Sequence, residues 1–207
     1  MKYVSTPALI AAIIGPIQAV LGWLIAGSLW PGFDHFSKTM SDLAANDSPV
    51  KAIQSSFFIL GGSLSIVVAL YTPVFAIAGR AVIFISGLTT YGLTLFATPS
   101  QETSSFWHRI FAIATFVLMS AWPVFSMRFD RRYPWVLRPV WSVIVTAIFA
   151  AGSIAFLMVW RDPNQQFVGL WERLIAVTQV GYLSLVIFIA WKHQRGAFRA
   201  LREKVEK

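Results

Sequence analysis

The chain has 207 residues, of which 57% are hydrophobic and 13% charged, with a formal net charge of +8 and no cysteine. A soluble domain carries about 25% charged residues, so this composition excludes a water-covered globule and points to a membrane protein. Without cysteine there are no disulfides, thiolate metal sites or cysteine nucleophiles.

Six apolar runs follow in chain order, setting spans of about residues 7–30, 52–77, 81–98, 107–127, 139–160 and 168–191. Each approaches or exceeds the roughly 20 residues that carry a helix across about 30 Å of hydrocarbon. The expected fold is therefore all-α: a polytopic bundle of six transmembrane helices, taken as a single domain over residues 1–207. The first run is longer than a signal-peptide core and lacks a small-residue cleavage pattern after it, so it is expected to stay as a span. The second run continues to Gly79, and the Ala78-Gly79-Arg80 break predicts a tight hairpin into the third. Gly15-Pro16, Pro73 and Pro123 lie inside runs, where packed membrane helices tolerate them. Asp47-Ser48-Pro49 and Asp162-Pro163 are expected to start the second and sixth spans as a cap followed by proline, and Thr103, Ser104 or Ser105 to cap the fourth.

Six spans place both termini on one side. Twelve Lys and Arg residues fall on that side, among them Arg80, Arg128, Arg131, Arg132, Arg138 and six from Lys192 to Lys207; five fall on the other. Cytoplasmic loops carry the Lys/Arg excess, so both termini are expected in the cytoplasm. The basic total is then explained by topology and contact with anionic headgroups. The expected partners are membrane lipids, with no nucleic acid and no cofactor.

Most other ionisable residues lie on the opposite, outer side: Asp34, His35, Asp42, Asp47, Glu102, His108, Asp162 and Glu172. Phe36, Met40 and Leu43 recur at helical spacing there, which predicts a short interfacial helix. His108 and Arg109 fall near the first turn of the fourth span, where a helix N-terminus disfavours imidazolium. Glu172 and Arg173 sit at the hydrocarbon edge and need partners; Arg109 is the expected cation for Glu172, with Arg173 the local alternative. Ser41, Asp42, His108, Arg109, Glu172 and Arg173 are thus the candidate ligand-binding residues, drawn from three junctions on one face. A plainer reading stands beside this one: Lys38 pairs with Asp42 on a solvated helix, and the other charges anchor helix ends. His35 and His193 read as solvated loop residues, and Trp23, Trp30, Trp107, Trp135, Trp160, Trp171 and Trp191 as an interfacial aromatic belt. Gln18, Gln54, Thr89, Thr90 and Gln179 read as interhelical hydrogen-bonding groups.

Several sites are excluded or unsupported. Three histidines, one on the far side, do not make a membrane haem pair, and no His-x-x-x-His, Gly-x-Ser-x-Gly or phosphate-binding glycine loop occurs. No metal site is assigned, since the spacing of His35, His108 and the outer carboxylates does not support one. No acidic residue lies mid-span, which argues against a proton-coupled transporter.

Ile14-Gly15-Pro16, the Trp30-Pro31-Gly32-Phe33-Asp34 exit, Met40-Ser41-Asp42-Leu43-Ala44, His108-Arg109 and Gly169-Leu170-Trp171-Glu172-Arg173-Leu174 occur in that order. In this order the chain resembles the bacterial six-span membrane proteins of domain-of-unknown-function family 998. That pattern often has glutamate after the serine, where this chain has Asp42. The resemblance implies the six-span architecture and a bacterial cytoplasmic membrane, and it supplies no reaction.

Three functions compete. The leading one is binding of a lipid or other amphiphile in a polar pocket at the outer-leaflet boundary, with apolar walls from spans 1, 4 and 6. The second is an intramembrane hydrolase of lipid ester or amide bonds, with Ser41 as nucleophile, His108 as base and Asp42 or Glu172 orienting it. The third is a non-catalytic assembly or scaffold protein.

Overall fold

The computed structural model describes residues 3–103, 105–162 and 166–205. Among them are seven α-helices, one 3-10 turn at Trp135–Leu137 and no strand. The helices are α1 (Thr6–Ser28), α2 (Met40–Leu43), α3 (Lys51–Tyr71), α4 (Ile77–Leu95), α5 (Phe106–Phe125), α6 (Pro139–Trp160) and α7 (Val168–Val205). Six of these, all but α2, are long and apolar enough to cross a membrane. The all-helical six-span architecture expected from the apolar runs is therefore present, in a multi-pass membrane protein.

The helix boundaries follow local chemistry. Proline occupies the first turn of α1 and of α6, where its missing N–H has no intrahelical partner to lose. Pro16 and Pro123 lie inside α1 and α5, as membrane helices permit. Pro73 does not: α3 ends at Tyr71 and α4 starts at Ile77. The expected hairpin at Ala78-Gly79-Arg80 is thus displaced to residues 72–76, and Gly79 and Arg80 are helical. Proline disfavours helical backbone at the residue before it. Arg80 completes the turn, donating from Nε to the Ala69 carbonyl at 2.6 Å and from Nη2 to the Leu70 carbonyl at 2.9 Å, two of the orphan acceptors of the α3 terminus.

Other starts also differ. The N-cap of α3 is Val50, without a side-chain hydrogen bond. Ser48 instead donates to the Leu43 carbonyl at 2.7 Å and accepts from the Val50 N–H at 3.2 Å, so it shapes the turn before the helix. The helix α7 begins at Val168, which leaves Glu172 and Arg173 in its second turn. Pro163 and Ser104 lie outside the described residues, and Ser105 is the N-cap of α5. Without a break at Gly196, α7 runs on past the sixth span to Val205.

Around the bundle, α1 packs on α3, α3 on α4, α4 on α5, and α7 on α1. Between α3 and α4 the backbones nearly touch: a Cβ on Gly62 would meet the Gly87 carbonyl oxygen at 2.7 Å, and one on Gly87 the Gly62 oxygen at 2.7 Å. Small residues allow such approaches between membrane helices. The remaining side of the ring, between α5 and α7, is sparse, and α6 covers it from outside. Ser120 of α5, Ser153 of α6 and Gln179 of α7 are buried across this seam, with Ser120 and Ser153 hydroxyls 3.0 Å apart and Gln179 donating to Ser120 at 3.0 Å. Thr115 likewise donates to Thr89 across α5 and α4 at 2.8 Å.

The two ends differ. At the terminal end, the Val4 N–H donates to the Gln194 side chain at 2.9 Å and the Val74 N–H to the Tyr3 carbonyl at 3.1 Å. At the loop end, reached after α1, α4 and α6, the connections fold over one another.

Candidate functional site

The site is assembled around the single turn of α2. Thr39-Met40-Ser41-Asp42 makes a capping box, in which the Asp42 N–H donates to Thr39 Oγ1 at 3.1 Å and the Thr39 N–H to Asp42 Oδ2 at 2.6 Å. Two orphan donors are satisfied reciprocally, which fixes the turn that carries Ser41. The expected helix is shorter than the apolar spacing suggested: it includes Met40 and Leu43 but not Phe36. Lys38 does not pair with Asp42; its ammonium donates to Gln101. Burial pushes the Asp42 carboxyl above the ordinary carboxylate range, against the opposing Thr39 hydrogen bonds.

The start of α7 clamps the segment before Ser41. The Leu170 N–H donates to the Phe36 carbonyl at 3.1 Å, and Arg173 Nη1 donates to the His35 and Lys38 carbonyls, both at 2.8 Å. The Met40 N–H donates to Glu172 Oε2. Glu172 is only 6% exposed and Arg173 5%; these contacts replace lost water at Glu172 Oε2 and Arg173 Nη1, while Arg173 Nε and Nη2 are buried without a hydrogen-bond partner. The expected ion pair of Glu172 with Arg109 or Arg173 is not formed within contact distance; the close pair that is formed joins Arg132 and Asp130, at the other end of the bundle. The Met40 N–H supplies the direct contact, and the Arg173 charge acts on Glu172 from beyond ion-pair distance. The Arg173 guanidinium lies over the Trp23 ring at 5.2 Å and the Phe33 ring at 6.0 Å, a cation–π arrangement. His35 is drawn into the same cluster, edge-on to Trp23 at 5.5 Å and Phe33 at 5.1 Å. It is half-buried rather than solvated, and desolvation pushes its imidazole below the ordinary value.

Across the loop end, His108 sits in the first turn of α5, its N–H donating to the Ser105 hydroxyl at 3.0 Å. The ring is 4% exposed. Its Nδ1 lies 3.1 Å from the Phe96 carbonyl oxygen and its Nε2 lies 3.0 Å from Ser41 Oγ. A carbonyl only accepts, so Nδ1 carries the proton in this arrangement. That leaves Nε2 as the acceptor and Ser41 O–H as the donor. The group that orients the imidazole is therefore a backbone carbonyl, in the place expected for Asp42 or Glu172. The Asn46 N–H donates to the Thr98 carbonyl at 2.9 Å, tying the connection after α4 to the α2 segment.

Ser41, Asp42, His108, Arg109 and Glu172 all line one cavity of about 820 Å³ at the loop end, within the range of small-molecule sites. Arg173 does not line it. The apolar walls come from α5 and α6, through Ile110, Ile113, Phe156, Leu157 and Trp160, with Glu172 alone from α7. Span 1 contributes nothing, contrary to expectation, because α6 covers the α5/α7 seam while α1 lies on the far side of α7. Arg109 and Arg161 add two exposed cations to the wall. Among the described residues no group of three His, Asp or Glu side chains converges to hold a metal ion.

Sequence reasoning missed the Phe96 carbonyl, the Met40 N–H, the Trp23 platform and the α6 wall. Thr39-x-x-Asp42 was a readable capping-box signal; the two backbone groups had none.

The sequence model of a family described as "Protein of unknown function (DUF998)" matches residues 13–189. No curated protein and no solved structure matches the chain.

Proposed function

The chain belongs to the family described as "Protein of unknown function (DUF998)", and from that premise we propose that it is a membrane hydrolase that binds an amphiphile at the loop end and cleaves an ester or amide bond in it. One observation carries the reading: Ser41 Oγ lies 3.0 Å from a His108 Nε2 whose ring is tied through Nδ1 to a carbonyl. In such a pair the serine oxygen attacks the substrate carbonyl carbon while Nε2 takes its proton. The imidazolium then protonates the departing alcohol or amine, leaving an acyl-serine. Water, deprotonated by the same nitrogen, attacks the acyl-serine carbonyl; the Oγ–acyl bond breaks, the imidazolium returns its proton to Ser41 Oγ, and the acid leaves. Arg109 and Arg161 on the cavity wall, beside the carboxyls of Asp42, Glu102 and Glu172, suit a polar headgroup that presents an anionic group to the arginines.

The test uses purified protein in lipid nanodiscs with micellar nitrophenyl esters and an alkyl fluorophosphonate that labels activated serines. Ser41→Ala is expected to abolish labelling and lower turnover by about 10³-fold or more, and His108→Gln to do nearly the same, since such pairs act as a unit. Unchanged turnover in Ser41→Ala would sink the reading. Amphiphile binding without cleavage is the second reading, favoured by the neutral carbonyl that stands where a carboxylate would stabilise imidazolium. A co-purifying lipid, no wild-type turnover and no labelling would select it.

The same reading places the protein in a bacterial cytoplasmic membrane with both termini inside and the cavity facing out. The twelve-to-five division of basic residues supports this orientation. Because the chain has no native cysteine, an impermeant thiol reagent on intact cells is expected to modify a cysteine introduced at Asn46 and spare one at Gly196. The reverse pattern would invert the orientation.

A further inference from the structure

A second, narrower cavity of about 160 Å³ runs inside the ring of α1, α3, α4, α5 and α7. Its walls are mostly apolar, from Phe57, Leu64, Val68, Phe116, Met119 and Leu183. Along α3 the lining extends from Gln54 to Val68, 14 residues at 1.5 Å each, or about 21 Å of depth. At its shallow end it is bounded by Met40, Ser41 and Glu172, and it shares Ser41, Ala112, Phe116 and Glu172 with the loop-end cavity. Ser41 therefore stands where a polar chamber meets a thin apolar one.

The inner cavity also holds an unanswered polar group. Gln54 lines it, is 2% exposed, and its Oε1 is buried without a hydrogen-bond partner. Such an acceptor inside a bundle calls for a donor from something bound. Gln54 stands in the first turn of α3, at the shallow end, so the donor it lacks would lie close to the Ser41 junction, with the apolar depth beyond it.

We propose that the inner cavity holds the acyl chain of a long-chain acyl amphiphile, whose headgroup occupies the loop-end cavity and whose ester or amide carbonyl lies at Ser41. This rests on the hydrolase reading and names its substrate class. A chain of that kind fits the shape: charge and bulk are accepted on one side of Ser41 and only a thread of methylenes on the other. An amide N–H or a hydroxyl beside the carbonyl would supply the donor for Gln54. During turnover the same chamber retains the acyl group while it is bonded to Ser41, and the alcohol or amine leaves through the wider one.

Ser65 of α3 and Ala12 of α1 line the inner cavity and not the loop-end one, and two variants that narrow it there, Ser65→Phe and Ala12→Leu, test this without touching Ser41 or His108. With wild-type protein in nanodiscs, palmitoyl esters are expected to turn over faster than butyryl esters. Either variant is expected to cut palmitoyl turnover by about tenfold or more and leave butyryl turnover unchanged. Binding supplies a readout that needs no chemistry: a spin-labelled palmitoyl amide is expected to be immobilised on Ser41→Ala protein and to lose about tenfold in affinity, roughly 1.4 kcal/mol, when Ser65→Phe is added. An unchanged chain-length profile, or unchanged affinity, in both narrowed variants would overturn the proposal. Absence of turnover at every chain length with binding still sensitive to Ser65→Phe would overturn the hydrolase reading and leave the acyl site standing.

Discussion

The two ends of the bundle each use a buried or half-buried arginine, and the contrast between them locates the chemistry. At the terminal end Arg128 spends its donors on three carbonyls of the turn after α3: Nε on Val74 at 2.8 Å, Nη2 on Phe75 at 2.7 Å and Pro73 at 3.3 Å. It also lies over the Tyr133 ring at 4.9 Å and its backbone N–H donates to the Leu137 carbonyl at 2.7 Å, and it lines neither cavity. At the loop end Arg173 also donates to two carbonyls, but the segment it holds leads straight into Ser41. Both arginines tie a connection to the bundle; only one of those connections carries a hydroxyl in hydrogen-bond contact with a free imidazole nitrogen. Position relative to that pair, more than charge or burial, separates structural polar groups from functional ones here.

The sharpest way to break this comparison is to remove each arginine. Arg173→Leu takes away two charge-assisted hydrogen bonds and the Trp23 contact, a loss on the order of 3 kcal/mol, and frees the turn that positions Ser41. Turnover is expected to fall by roughly 10²-fold, the scale of a displaced catalytic group, along with the melting temperature. Arg128→Leu is expected to lower the melting temperature by a comparable amount and leave turnover unchanged. Thermal unfolding and ester hydrolysis measured on the same nanodisc samples check both halves. Equal effects on turnover would mean that the loop end has no special dependence on its clamp.

How much of this was legible in the sequence depended on whether side chains or backbone made the contact. The spans were readable because apolar runs of about 20 residues have few other uses. Ser41, His108 and Glu172 stood out because polar groups at the hydrocarbon edge need an explanation. Their partners did not stand out. Every residue carries a carbonyl and nearly every one an N–H, so nothing in Phe96 or Met40 advertised that its backbone would orient His108 or satisfy Glu172. The displaced hairpin has a similar origin. Pro73 and Pro123 look alike in sequence, yet Pro123 stays within α5 while Pro73 follows the end of α3, where Arg80 and Arg128 answer the freed carbonyls. One of those arginines, Arg128, lies 55 residues from Pro73 in the chain, beyond the reach of any local window. The α6 wall was hidden for a further reason: ring order is set by packing between helices, and the apolar runs are too alike to specify it.

A smaller effect sharpens the comparison through two aspartates. Asp42, at the loop end, has its carboxyl raised by burial, with the Thr39 hydrogen bonds and the charges of Lys38 and Arg173 pulling the other way. Asp130, at the terminal end, is half-exposed and lowered by its hydrogen bonds to Arg132. The signs are opposite. A carboxyl raised on folding binds its proton more tightly in the native state, so the stability it contributes is present at low pH and lost as pH rises through the raised value. A lowered carboxyl contributes stability above its unfolded pKa and loses it as pH falls. Asn at position 42 cannot ionise, and its amide oxygen still accepts from the Thr39 N–H. Asp42→Asn is therefore expected to raise the melting temperature on the neutral side of the ordinary carboxylate range and leave it unchanged on the acid side. Asp130→Asn is expected to cost a little at neutral pH and nothing in acid, an effect kept small by solvent screening of its exposed partner. Melting temperatures of the three proteins across a pH series decide the matter: parallel curves for the two variants would mean that Asp42 is no more desolvated than Asp130. Diverging curves would locate the buried charge at the wall of the loop-end cavity, next to the serine it helps to hold.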